Sequence, residues 1–139
     1  MTEFSSITKN ISCSQTKVYA VLSDLSNLEK IKDRIPTHQV NDFAFDRDSV
    51  SFSVSPVGKI KITIVERTPQ TDVRFAAEQS PIDMHLHLHL QAIGEQETAL
   101  KLTVYAQLNP FIKPLLSKPV QEGIDKIADT LAMIPYNEI

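Results

Sequence analysis

Hydrophobic and polar residues alternate along most of this chain, and the alternation is framed by helical spacing near each end. Phe4, Ile7 and Ile11 stand in a Ser/Thr-rich opening with the composition of a first β-strand. After Ser14 the period changes. Val18, Val21, Leu22 and Leu25 recur at three- and four-residue steps, which predicts a short helix with Ser14 as its N-cap. Ser26-Asn27-Leu28-Glu29 has the form of a capping box and predicts a second short helix, with Leu28, Ile31 and Ile35 on its apolar side and Pro36 as its stop.

From Phe43 onward the period is two. Phe43 and Phe45 suggest a short strand ended by Asp46-Arg47-Asp48. Val50, Phe52 and Val54 alternate with serines, and Ile60, Ile62 and Ile64 with lysines and Thr63. Val73, Phe75 and Ala77 follow, then Met84, Leu86, Leu88 and Leu90, then Leu100, Leu102, Val104 and Ala106. The turns between these runs are short, so the strands form an antiparallel meander; parallel neighbours would need crossovers of about a dozen residues. Pro110, Pro114 and Pro119 punctuate the next stretch. Pro119 fits the first turn of a final helix, Pro119 to Ile134. Val120, Ile124, Ile127, Ala128, Leu131 and Ile134 form its apolar stripe, with Glu122, Asp125, Lys126 and Asp129 on the wet side. The fold class is α+β: a curved antiparallel sheet of about six or seven strands around a long C-terminal helix, with two short helices after strand one.

Composition narrows this modestly. A chain of 139 residues is most simply one domain, 1–139. A net charge of −3 argues against nucleic acid, which calls for a basic stripe. Cys13 is the single cysteine, so neither an intramolecular disulfide nor a cysteine-based zinc site is available. No basic stretch leads into an apolar run near Met1, and no segment approaches the ~20 apolar residues of a membrane span. The expected setting is the cytoplasm.

In this order of elements the chain resembles the START/Bet v 1-like superfamily, also called the SRPBCC or polyketide cyclase/dehydrase–lipid transport group. The anchors are the strand followed by SQTKVYAVLSDLSNLEKI, the meander, and the closing NPFIKPLLSKPVQEGIDKIADTLAMI. Ser14, Val18, Leu22, Asp24 and Leu28 match the strand-to-helix opening. The resemblance implies a helix-grip fold whose sheet and C-terminal helix often enclose an apolar ligand. It implies no cofactor and no particular reaction, since one fold hosts many functions.

Three histidines are the sharpest local signal. His85, His87 and His89 share one strand face, and imidazole is a common ligand for zinc, copper and nickel. The outer two stand about 13 Å apart along the strand, so a site would use two of them, with Asp83 as a candidate helper. Met84, Leu86, Leu88 and Leu90 occupy the opposite face, which makes the histidine face the wet one. The solvated reading is therefore preferred and no metal is expected.

The inward face is the other candidate. Tyr19, Phe52, Val54, Ile62, Ile64, Phe75, Leu86, Leu88, Leu102, Val104, Phe111, Ile124, Ile127 and Leu131 would wall a cavity, or equally fill a closed core. Phe111, Leu115 and Leu116 would stand at its mouth. Tyr19, Tyr105 and Arg74 are polar candidates, the last two outward by strand parity. Asp24, with Lys30 and Lys32 nearby, reads as solvated surface, and Cys13 as small packing. Binding or carriage of a small hydrophobic molecule is the first functional reading. A cyclase- or dehydratase-type enzyme using the same space, and an interaction module or homodimer with a filled core, are the others.

Overall fold

The computed structural model describes residues 2–27, 29, 41–54, 58–80 and 82–138, with positions 41–43, 54 and 138 given by backbone alone. Eight strands make one curved antiparallel sheet: β1 (Thr2–Ser5), β2 (Lys9–Ile11), β3 (Asn41–Phe45), β4 (Ser49–Val54), β5 (Gly58–Thr68), β6 (Asp72–Gln79), β7 (Met84–Gly94) and β8 (Glu97–Ala106). Their order is β1-β8-β7-β6-β5-β4-β3, with β2 also on β8. Helix α1 (Gln15–Leu22) follows β2. Helix α2 (Lys113–Met133) follows β8, and a 3-10 turn, Tyr136–Glu138, ends the described chain. The meander from β3 to β8 is the predicted one.

The eighth strand arises because the predicted first strand is two. Thr2 to Ser5 run opposite Ala106 to Thr103, and Lys9 to Ile11 run opposite Leu100 to Thr98. From Ser5 to Lys9 is four steps (9 − 5), whereas from Thr103 to Leu100 is three (103 − 100), so one extra residue is accommodated between them. Phe4 and Ser6 point inward before the bulge and Ile11 after it, and Ile7 is turned out, 68% exposed. Ile7 is outward by ordinary alternation with Phe4 and Ser6, and the extra residue is what returns Ile11, of the same parity as Ile7, to the buried face.

The Ser6 hydroxyl repairs the ladder. Ser6 N–H donates to the Leu102 carbonyl at 2.8 Å, and Leu102 N–H donates back to Ser6 Oγ at 3.0 Å, where an unbulged strand would offer a backbone carbonyl. Both residues are buried. Ser6→Ala is expected to leave the Leu102 N–H unpaired and lower stability by about 1–3 kcal/mol in a urea titration. A change within error would show that water or a backbone shift supplies the missing acceptor.

Helix α1 starts as predicted: Ser14 Oγ accepts from Lys17 N–H at 3.3 Å, and Val18, Val21 and Leu22 enter the core. The next cap differs. Asp24 Oδ1 accepts from both Ser26 N–H (3.1 Å) and Ser26 Oγ (2.6 Å), so the carboxylate caps the 3-10 turn at 25–27 and Ser26 serves as donor. Leu28, Ile31, Ile35 and Pro36 of the predicted second helix lie outside the described residues.

Helix α2 begins six residues before the predicted Pro119, at Lys113 (119 − 113). Asn109 is the reason. Its Oδ1 accepts from Phe111 N–H and Ile112 N–H, both at 2.9 Å, and its carbonyl accepts from Lys113 N–H at 2.9 Å. Pro114 takes the tolerated first-turn place, which leaves Pro119 inside the helix and unable to bond back to the Leu115 carbonyl. Leu115 is exposed, so water has access to that turn.

Candidate functional site

Strand alternation lays Phe52, Ile62, Ile64, Phe75, Leu86, Leu88, Leu102 and Val104 on one buried face, and α2 adds buried Ile124. Ile127 and Leu131 of α2 and Tyr19 of α1 are half-buried against the same cluster. Phe111 is the exception among the expected wall residues. The Asn109 cap holds it outside the first turn of α2, 86% exposed. The Val54 side chain lies outside the described set.

Helix α2 covers this face unevenly. The close backbone neighbours of α2 are β8, β2 and β1; among the described residues it has no comparable approach to β4, β5 or β6. Side-chain burial is even across the face: Leu100 and Leu102 on β8 and Val73 on β6 are fully buried, while Phe4 on β1 and Phe52 on β4 each keep 8% of their surface. At the helix's near edge an ion pair from Lys9 Nζ to Asp129 Oδ1 and a bond from Gln121 Nε2 to the Ser5 carbonyl (2.9 Å) fasten α2 to the bulged strand pair.

No described Asp, Glu, His, Lys or Arg is buried. The buried hydroxyls are engaged structurally: Thr98 Oγ1 donates to the Cys13 carbonyl at 2.7 Å, Ser6 serves the bulge, Ser49 donates to the Asp46 carboxylate, and Tyr136 donates to the Leu131 carbonyl at 2.7 Å. Such a wall can dissolve an apolar molecule. It offers no described group placed to move a proton. Cys13 is buried, its Sγ 3.3 Å from Asn137 Oδ1, in keeping with a packing role. Arg74 is exposed, and Asp24 faces Arg47 at 3.8 Å; Lys30 and Lys32 lie outside the described residues.

The histidines face outward, as alternation requires, but they are not equivalent. The β6–β7 register sets Asp72 opposite His89, Arg74 opposite His87 and Ala76 opposite His85. Asp72 Oδ1 is shared by His87 Nε2 and His89 Nδ1, the latter at 2.9 Å, while His85 stands exposed. The two engaged rings meet edge to face, 6.0 Å between centroids. Asp72 and His87 keep 17% and 21% of their side-chain surface. Asp83 is not the partner carboxylate; its carbonyl accepts from Gln107 N–H at 2.9 Å, at the other end of the strand. The Asp72 position depends on the turn before it, where Thr71 N–H bonds to the Thr68 carbonyl at 3.1 Å and Gln70 takes a positive φ of 75°.

Burial alone raises the Asp72 pKa. Hydrogen bonds from the Thr71 hydroxyl, His89 and His87 more than offset it, and the carboxyl is held well below the usual carboxylate range. A carboxylate whose folded value lies under its ordinary 3.8 stabilises the fold above that pH and loses the effect as pH falls through the lower value. In chelator-treated protein, Asp72→Asn is therefore expected to lower the urea midpoint at pH 7, and the gap to the parent should narrow below about pH 4. A gap of equal size at pH 3 would show that the charge is not what matters.

No protein-family model matches the chain, and no curated protein matches it in sequence. Solved structures match it in shape. A START superfamily protein from Mycobacterium smegmatis superposes with TM-score 0.69 at 12% identity over 94% of each chain. Norcoclaurine synthase from Thalictrum flavum, in complex with dopamine and hydroxybenzaldehyde, gives 0.71 at 10% identity over 94% of this chain and 84% of the synthase. A protein from Thermus thermophilus gives 0.67 at 19% identity over 94% of each. The chain therefore has the START/Bet v 1-like helix-grip fold.

Proposed function

We propose that the protein binds and carries a small apolar molecule between the inner face of the sheet and α2. The observation that carries this reading is the lopsided position of the helix: among the described residues α2 approaches β8, β2 and β1 closely, while the apolar inner face continues past it across β4 to β7. The Thalictrum synthase, which has the same fold, is known in complex with two small aromatic compounds, and that is in keeping with such a site. Burying about 300 Å² of ligand surface at about 25 cal/mol per Å² gives roughly 7 kcal/mol before the losses of association, which corresponds to a useful but reversible affinity.

A carrier is preferred to a cyclase- or dehydratase-type enzyme because the described inner wall has hydroxyls with structural duties and no buried acid or base. A cytoplasmic setting belongs to the same reading, and a single buried cysteine suits it. Mass spectrometry of organic extracts from the purified protein is the test. An apolar small molecule near one per chain is expected. Extracts matching the blank, together with no saturable binding of an apolar fluorophore, would overturn the reading in favour of a filled core.

A further inference from the structure

We propose that Asp72, His87 and His89 form a binding site for one divalent transition-metal ion of the zinc class on the outer face of the sheet. Their donor atoms, Asp72 Oδ1, His87 Nε2 and His89 Nδ1, all lie within 4.8 Å of one another. Three ligands on a tetrahedral zinc ion, with bonds of about 2.0–2.1 Å, stand about 3.3 Å apart. Small side-chain rotations bring the present group to that spacing. Two imidazoles and one carboxylate suit zinc and its neighbours; magnesium and calcium take oxygen donors.

The backbone holds the ligands. His87 and His89 are two apart on β7, which puts both on one face, and Asp72 is the direct cross-strand neighbour of His89 on β6. A hydrogen bond from the Thr71 hydroxyl orients the Asp72 carboxylate, the second layer of support that metal-binding carboxylates commonly have. His89 keeps 49% of its side-chain surface, so the fourth position opens to solvent. Arg74 and Lys101 flank the group on β6 and β8. Both are exposed, and solvent screens their repulsion of an ion. His85 belongs to the same sequence run but pairs with Ala76 and has no carboxylate opposite. The site lies on the face away from the apolar wall, so it stands or falls separately from ligand carriage.

The test is calorimetric titration of untagged, chelator-stripped protein with Zn²⁺. One ion per chain is expected, with no heat from Mg²⁺. Asp72→Asn, His87→Gln and His89→Gln should each weaken binding by at least about tenfold, and His85→Gln should change it less than about twofold. All four substitutions are at least partly exposed, and circular dichroism checks their folds; His89→Gln, at the most exposed ligand, keeps the test intact should Asp72→Asn loosen the sheet. No saturable binding would overturn the proposal. So would a loss in His85→Gln equal to that in His87→Gln, which would assign the ion to the histidine strip, or half an ion per chain with dimer formation, which would assign it to a contact between copies.

Discussion

Tyr136→Ala is expected to lower the unfolding free energy by about 4 kcal/mol, the loss typical of a deleted core aromatic ring. Tyr136 is 2% exposed and is the largest of the fully buried side chains. It lies beyond the end of α2, in the 3-10 turn, which folds back against α1. Its hydroxyl donates to the Leu131 carbonyl at 2.7 Å, one of the helix-end carbonyls that lack an intrahelical partner. Burial pushes the phenol pKa far above its ordinary value and keeps the proton on the oxygen, as that donor role requires. Tyr136→Phe separates the two contributions: it keeps the ring and strands the carbonyl, and should account for about 1–2 kcal/mol of the total. Urea unfolding measures both variants. A loss below about 1 kcal/mol in Tyr136→Ala would show that the turn is undocked in solution.

Ile127→Trp is expected to abolish uptake of an apolar ligand while leaving the chain folded. Ile127 is half-buried and packs against the core cluster one turn from buried Ile124, on the side of α2 that meets the sheet. An indole there has room at the solvent edge for its own accommodation, yet projects into any space between helix and sheet. Affinity for an apolar fluorophore should fall by about tenfold or more, equivalent to about 1.4 kcal/mol. Met133→Trp is the control, since Met133 is exposed, and it should bind like the parent. Unchanged uptake in a folded Ile127→Trp protein would place the ligand elsewhere.

These two residues mark what the sequence makes legible. Ile127 falls in an apolar stripe with helical period, and a period is visible along a single chain. Met84 to Leu90 likewise declare both faces of β7 at once. Tyr136 lies after the stripe has stopped, and nothing in the spacing says that the chain turns back to bury it. Asp72 closes a turn in sequence; its meeting with His87 and His89 exists only through the β6–β7 register, which Ser80 and Pro81 constrain too loosely to count across. Ile7 and Ile11, four apart, would share one face of a regular strand, yet Ile7 is exposed and Ile11 buried; the inserted residue after Ser6 explains the misfit, and nothing in the spacing announces it. The start of α2 is ambiguous in the sequence for another reason. Pro114 and Pro119 are each tolerated in a first turn, and the Asn109 side chain selects the earlier one.

That insertion has a consequence beyond packing. β1 and β2 run along one border of the sheet, and a border strand presents unpaired N–H and C=O groups to any other extended chain. A long, flat border would act as a template for a second molecule. The extra residue divides this one into runs of four and three residues that are out of phase with each other, and it places exposed Ile7 where the ladder is broken. An incoming strand that pairs with one run cannot continue onto the other. The irregularity at Ser6 thus guards the sheet's border, hindering aggregation by strand addition.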